Sequence, residues 1–427
     1  MNGTAAVAAG WQPLGIPFEF VLFALTLLGV ALCHRRTLEA ALAGLAAVTA
    51  YKLVVTGFPG GGGIGGWLAH LRGEWVVVAN LLGLLTGFAL LSRHFEASGV
   101  PQHLPAHLPD DWRGGFVLLV MVFVLSGFLD NIAAALIGGT VAVSVFRGKV
   151  HVGYVAAIVA AANAGGAGSV IGDTTTTMMW IDGVDPADVL HAYLAAGVAL
   201  VVCGVPASLQ QHRHAPIVAN DRAPAPVDGA RLGIVALTLV AAIVTNVVTN
   251  VAFPGVTDAF PFLGVAVWVL LVVTAGWRRP DWSVMPSTLR GSIFLLSLVL
   301  TASMMPVERL PAASWQTALG LGFVSAVFDN IPLTKLALEQ GGYDWGVLAY
   351  AVGFGGSMLW FGSSAGVAIT GLHPQARSVG AWLRAAWHVA LAYVAGFVAL
   401  LLVLGWQPHD PPSGAATASA PQEDVAR

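Results

Sequence analysis

SGFLDNIAAALIGG (Ser126 to Gly139) and SAVFDNIPLTKLAL (Ser325 to Leu338) are versions of one another. The first is followed by NAGGAGSVIGDTTTTMMW (Asn163 to Trp180), the second by GFGGSMLWFGSSAG (Gly353 to Gly366). Ser126, Asp130, Asn131 and Ile132 fall on Ser325, Asp329, Asn330 and Ile331 at an offset of 199, while Gly165, Gly166 and Gly172 fall on Gly355, Gly356 and Gly362 at an offset of 190. Only the connector inside each unit changes length. An Asp-Asn pair and then a glycine-rich break, occurring twice in apolar sequence, is the pattern of a duplicated transporter core.

Working outward, 57% of the residues are hydrophobic and only 10% charged, against roughly 25% charged in a soluble domain. This composition reads as an all-α polytopic membrane protein, a bundle of about ten spanning helices at ~20 residues each. The net charge of −3 is too slight to point to nucleic acid; the lipid bilayer is the partner that the composition implies. Cys33 and Cys203 both lie in apolar spans, which argues against a disulfide framework or a thiolate metal site. The N-terminus lacks the basic region of a signal peptide, so the run from Gly15 to Cys33 is expected to be a retained helix.

Candidate spans lie near 15–33, 40–57 and 75–92, then in an apolar stretch 114–146 interrupted by Asp130 and Asn131. A broken span follows at 152–181, and others near 187–208, 232–252, 260–276 and 291–305. A second interrupted stretch covers 313–340, a second broken span 346–371, and a last helix 381–404. The expected organisation is scaffold helices over 1–113, a first transport unit over 114–208, a linker and further scaffold over 209–312, a second transport unit over 313–404 and a disordered tail over 405–427.

Basic residues orient the bundle. With Arg35 and Arg36 cytoplasmic, and each interrupted stretch entering and leaving on one side, Arg72, Arg309 and Arg427 are the only ones of 19 Lys and Arg placed outside, Lys52 and Lys335 lying within apolar segments. The first interrupted stretch, flanked by Arg113, Arg147 and Lys149, then opens to the cytoplasm, and the second, flanked by Glu308 and Asp344, opens outside. Two re-entrant hairpins entering from opposite faces make two inverted-topology repeats. Both termini are placed outside the cytoplasmic (inner) membrane.

An ionised carboxylate in hydrocarbon costs several kcal/mol, so it normally faces a water-filled cavity or a bound ion. Asp130 and Asp329 sit mid-way along apolar stretches, at the expected hairpin tips, with Asn131 and Asn330 adding neutral carbonyl oxygens. Backbone carbonyls freed at a tip suit a hard cation such as Na+. The glycine segments break the helix that would otherwise continue, each interior Gly losing about 1 kcal/mol against Ala. They bring Ser169, Asp173 and Thr174 to Thr176 into reach in the first unit, and Ser357, Ser363 and Ser364 in the second. Three carboxylates and one amine, Lys335, would favour cations.

Plainer readings stand beside these. Asn131 and Asn330 can cap half-helices, the glycines can be packing positions, and Thr175 and Thr177 can satisfy backbone carbonyls. Lys335 can snorkel or pair with Glu339 four residues on. Glu19 and Lys52, near span ends, read as interfacial, and His212 to His214 as a cytoplasmic loop rather than a metal site.

At these residues the chain resembles the NhaD-type sodium/proton antiporters of the ion transporter superfamily, which also contains arsenite, citrate and dicarboxylate carriers. The resemblance rests on Ser126/Asp130/Asn131, Asp329/Asn330/Pro332/Leu333, Gly165 to Thr176 and Gly355 to Val367, and covers roughly 114–181 and 320–400. Departures are Ala133, Ala134 and Ala135 where the family's first hairpin carries threonines, Gly168 and Val170 where a Trp and a Pro are usual, and Lys335 where relatives are small or aliphatic. The resemblance implies two inverted repeats around a midplane site, elevator-like movement against a scaffold, and often a homodimer. It further implies a transporter and not an enzyme, with no cofactor, in which Na+ (or Li+) and H+ compete for Asp130, Asp173 and Asp329. Asn131, Asn330, Thr174, Thr175, Ser363 and Ser364 would complete the monovalent-cation site, and Lys335 would be a second proton carrier or a counter-ion.

Two alternatives remain at this stage. A superfamily carrier for a small anion, a carboxylate or arsenite, would use Asp130 and Asp329 for the coupling cation and Lys335 for the anion. An intramembrane aspartyl protease would explain Gly172-Asp173, but position 170 is Val rather than Gly, and a protease gives no reason for duplicated motifs.

Overall fold

The computed structural model describes residues 11–32, 36–58, 61–103, 108–169, 172–217, 226–253 and 259–409. Cys33, Arg35, Val170, Arg222 and the tail from residue 410 lie outside the described residues. Among the described residues all extended elements are helical; the one β-type contact is a bridge between Phe58 and Gly61. In chain order the helices are α1 (Phe18–Leu32), α2 (Thr37–Tyr51), α3 (Gly63–Glu96), α4 (Val100–His103), α5 (Trp112–Ser126), α6 (Asn131–Val145), α7 (Val152–Ala167), α8 (Thr174–Ile181), α9 (Pro186–Leu190) and α10 (Ala192–His214). They continue as α11 (Gly229–Ala252), α12 (Phe262–Thr274), α13 (Met285–Ala302), α14 (Trp315–Ser325), α15 (Asn330–Gln340), α16 (Trp345–Gly355), α17 (Ser364–Leu372), α18 (Val379–Ala385) and α19 (Trp387–Leu404).

Six of these segments are long and apolar enough to cross a bilayer, and shorter apolar helices accompany them. The outward faces are apolar as well: Val265, Val269, Val272 and Val273 on α12, and Leu391, Val394, Val398 and Leu402 on α19, are exposed at helical spacing. Leu402 is 81% exposed. A water-facing helix surface would carry charge there, whereas a lipid-facing one needs none. The chain is an integral multi-pass membrane protein.

The helices pack as two groups. α1, α2, α3, α11, α12 and α13 pack on one another and form a wall. The core is built from α5, α6, α7, α10, α16 and α19, with α14 and α17 against it, while α15 lies at the seam, packed on α13 of the wall as well as on α8 and α16. The all-buried face of α7, from Tyr154 to Ala162, is mostly alanine, and so admits neighbours closely on every side.

Both interrupted stretches break at the expected Asp. α5 ends at Ser126 and α6 starts at Asn131; α14 ends at Ser325 and α15 starts at Asn330. Asp130 (φ −54°, ψ 140°) and Asp329 (φ −55°, ψ 142°) adopt the same backbone conformation. At about 1.5 Å per residue no arm exceeds ~23 Å, short of a hydrocarbon layer ~30 Å thick.

Glu19 and Lys52, at span ends, are buried: α2 ends in a π-turn from Lys52 to Thr56, and the ammonium donates to Met304 O at 2.8 Å beside the Phe58 ring. Two expectations change. His212 to His214 form the last turn of α10 instead of a loop. α3 begins at Gly63, well before residue 75, and carries Glu74 within it, 3.2 Å from Lys335 Nζ.

Candidate ion site

Glycine builds the frame. An added Cβ at Gly165 would lie 2.0 Å from Phe123 O, and one at Gly355 would lie 2.3 Å from Gly322 O. At Gly172 it would lie 2.0 Å from Ser126 O, and at Gly362 2.4 Å from Ala326 O. Gly166 and Gly356 are equally tight, each 2.7 Å from the carbonyl of the later glycine in its own break. Gly165, Gly172, Gly355 and Gly362 are therefore positions where the broken helices touch the backbone of the interrupted stretches, while Gly166 and Gly356 let each break fold back on itself. Ser126 donates to Ala162 O at 2.5 Å and Ser325 to Val352 O at 2.7 Å, fastening the same elements.

Inside this frame Asp173 is the meeting point. It caps α8, 2% exposed, and its Oδ1 accepts from Asn131 Nδ2 at 3.3 Å and its Oδ2 from Asn330 Nδ2 at 3.3 Å. One carboxylate thus receives an amide from each tip. Ser363 caps α17 with the same backbone conformation (φ −141°, ψ 153°, against −139° and 143° for Asp173), so a hydroxyl occupies the place of the acid in the second unit.

Asn163, in α7, is a residue that sequence reasoning passed over. Its Oδ1 accepts from Asn131 at 3.1 Å, and its Nδ2 donates to Ser357 at 2.9 Å and Ser363 at 3.1 Å. It links the two units completely buried. The signal available was an amide in an otherwise alanine helix, two residues before a glycine break.

The remaining candidates divide. Asp329 accepts from Ile331 N at 3.2 Å and from Ser364 Oγ at 3.1 Å. Thr175 Oγ1 is buried beside Asp173 with no well-aligned partner, which leaves its lone pairs for a ligand. Thr176 and Thr177 instead donate to Asp173 O at 2.9 Å each, so the plain reading holds for Thr177. Ser169 donates to Gly127 O at 2.7 Å. Lys335 takes no part in this cluster: its Nζ lies 2.7 Å from Glu339 and 3.2 Å from Glu74.

A vestibule of about 830 Å³ separates wall from core. Leu81, Leu85, Phe88 and Leu295 line its wall side, and Asp130, Thr174, Asp329 and Ser364 its core side. Arg93, Glu96 and Ser287 mark its mouth. Beside the mouth, Arg93 pairs with Asp281, whose carboxyl is held below the usual carboxylate range by the Ser283 hydroxyl and amide and then by Arg93. Asp130 and Asp329 therefore line the vestibule, whereas Asp173 is not among its lining residues. None of the three carboxylates is within 4.0 Å of a basic group among the described residues. Three acids without a basic neighbour, two of them lining a cavity, are chemically a site for cations or protons.

Comparison with characterised proteins agrees in kind. The chain is 29% identical over 344 residues to sodium/proton antiporter 1 of Arabidopsis thaliana, covering 69% of this chain and 56% of that protein. It is 28% identical to sodium/proton antiporter 2 of the same plant, covering 68% and 76% respectively. It is also 27% identical over 317 residues to the Na(+)/H(+) antiporter NhaD of Alkalimonas amylolytica, covering 61% and 62%. The match thus spans little more than half the length of the first of these relatives. No family model matches the chain.

Proposed function

We propose, on the chain's similarity to sodium/proton antiporters, NhaD among them, that it exchanges Na+ or Li+ for H+ across the cytoplasmic membrane. The observation that carries the reading is Asp173, bonded to Asn131 and Asn330 beside two acids that line the vestibule, with no basic group among the described residues within 4.0 Å of any of the three. A cation bound between Asp130, Asp173 and Asp329, with Thr175 and the tip carbonyls as neutral ligands, would discharge the protons they hold. Proton binding would in turn release the metal ion. Competition for one set of carboxylates couples the two flows without a second pathway.

The architecture that suits this is two inverted repeats of a re-entrant hairpin and a broken helix, covering 114–208 and 313–404, moving against scaffold helices. The matching conformations of Asp130 and Asp329 and the paired glycine contacts support the duplication. Positive-inside bias places Arg93, and with it the vestibule mouth, on the cytoplasmic side and both termini outside. A homodimer through the lipid-facing wall is part of the same proposal.

The test is a proteoliposome assay with an internal pH dye, adding Na+, Li+ or K+ at several pH values, with Asp130→Asn as control. Cation-dependent proton flux that disappears in the variant is the expected result. No response to any cation in folded protein would turn the reading toward an anion carrier.

A further inference from the structure

We propose that Lys335 and Glu74 are positioning residues for transport: a latch that holds the core against the wall on the side of the acids away from the vestibule. The proposal rests on the transport reading above, because a latch needs a second state into which it releases.

Two helices give the location. On α3 the vestibule runs from Arg93 and Glu96 at the mouth to Leu81 at its inner end, and Glu74 lies seven residues beyond, about 10 Å further along the helix. On α15, Asp329 lies at the vestibule and Lys335 six residues beyond, about 9 Å. Both helices thus run past the vestibule, and this ion pair joins them beyond it. There the path is shut: the Lys335 side chain is 4% exposed and that of Glu74 15%.

The wall side of the contact is braced. His70, one turn before Glu74, meets Ser303 Oγ at 3.0 Å and stacks near Phe58, while Lys52 holds Met304 O. These bonds join wall elements to each other, as do the Arg93–Asp281 and Arg290–Glu39 pairs. Lys335–Glu74 differs in being a charged link from α15, which also packs through Leu336 on the apolar face of α13, to wall helix α3.

The third member makes the pair releasable. Glu339 is on α15 itself, 2.7 Å from Nζ and 31% exposed. When the core withdraws from α3, Lys335 keeps an i,i+4 partner and does not become a lone buried charge, the outcome that makes breaking most buried pairs so costly. Without Glu339 the contact would be a permanent staple. Without Lys335, Glu74 and Glu339 would leave two acids facing each other across the closed seam.

The test reads conformation on the resting protein, so it stands even where antiport fails. Ala89→Cys, on the wall of the vestibule, is introduced with Cys33 and Cys203 replaced by serine, and its rate of maleimide labelling is measured in nanodiscs. Lys335→Met is expected to slow labelling about tenfold as the vestibule-open state loses its latch. The exchange Glu74→Lys with Lys335→Glu restores the pair and should return labelling to the parent rate, while slowing transport because the carboxylate introduced on α15 and Glu339 repel once released. Labelling of Lys335→Met at the parent rate overturns the proposal. Should Lys335→Met not fold, Glu74→Cys with Lys335→Cys is bridged by a reducible bifunctional thiosulfonate. The bridge should stop ion flux until reductant is added, and undiminished flux in bridged protein overturns the latch equally.

Discussion

Asn330 donates its side-chain amide to Asp173 Oδ2 at 3.3 Å across 157 positions of sequence, while Asn131 does the same to Oδ1. The acid thereby holds both tips, each of which carries its own aspartate. A carboxylate suits this place because it can accept on both oxygens; an amide accepts on one. Asp173→Asn therefore sets an NH2 group against one of the two asparagines and leaves a buried donor unsatisfied, a cost of about 1–3 kcal/mol. The expected result is a lowered melting temperature together with loss of Na+-dependent proton flux. Melting unchanged from the parent protein would remove Asp173 from the structural role argued for it.

Asp130 should behave differently. Its side chain faces the vestibule and the backbone amides of Asn131, Ile132 and Ala133, without a well-aligned cap bond to α6. Asp130→Asn removes a charge without breaking a bond of that kind, so flux should be lost while melting stays within about 0.5 kcal/mol of the parent. Asp329→Asn shares the loss of flux, with a somewhat larger melting shift because Asp329 accepts from Ile331 N and Ser364 Oγ. Retained flux in both variants would sink the ion-site assignment.

Competition sets the pH dependence. If each Na+ displaces a proton from Asp130, Asp173 or Asp329, lowering the pH through the titration of those acids raises the apparent KM for Na+, by up to about tenfold per pH unit for each proton displaced. The maximal rate at saturating Na+ should change less, because enough metal ion reclaims the site. Initial-rate measurements against Na+ concentration at several pH values distinguish this from a pH-gated carrier, in which the maximal rate falls and KM does not.

The glycine frame allows a controlled comparison. At Gly165 and Gly355 a methyl group would collide with backbone carbonyls that cannot turn aside, whereas at Gly197, also helical, nothing lies within 4 Å. Gly165→Ala and Gly355→Ala should each destabilise by about 1–3 kcal/mol or more. Gly197→Ala should be neutral or stabilising by up to ~1 kcal/mol. Thermal melting of the three purified variants checks the sign in each case.

What was legible in the chain follows from its duplication. Asp130, Asp329 and the glycine pairs could be read because each has a counterpart at a fixed offset, and repetition lifts a residue above the background of an apolar helix. Asn163 has no such counterpart, since Gly353 stands at its offset position, and so the signal that marked the others was silent there. Glu74 was hidden for another reason. A charge inside an apolar run reads as the end of a span until its partner is known, and Lys335 lies far away in sequence on another helix. The pairing of Lys335 with Glu339 was accessible from i,i+4 spacing, whereas the contact with α3 required the tertiary packing.

Asn163 couples the binding site to its framework. It accepts from Asn131 and donates to Ser357 and Ser363, so it fixes the orientation of the amide that Asn131 presents to Asp173. Asn163→Ala leaves those three groups without it in a buried site, and Asn131 becomes free to turn away from the acid. The expected outcome is an apparent KM for Na+ raised about tenfold or more, corresponding to ~1.4 kcal/mol or above in binding, with a melting shift of about 1–3 kcal/mol. Asn163→Gln keeps both functions of the amide but adds a methylene that the alanine-lined site has no room for, so it should fail to rescue. Normal KM in Asn163→Ala would mean that the two asparagine–aspartate bonds hold without their buried brace.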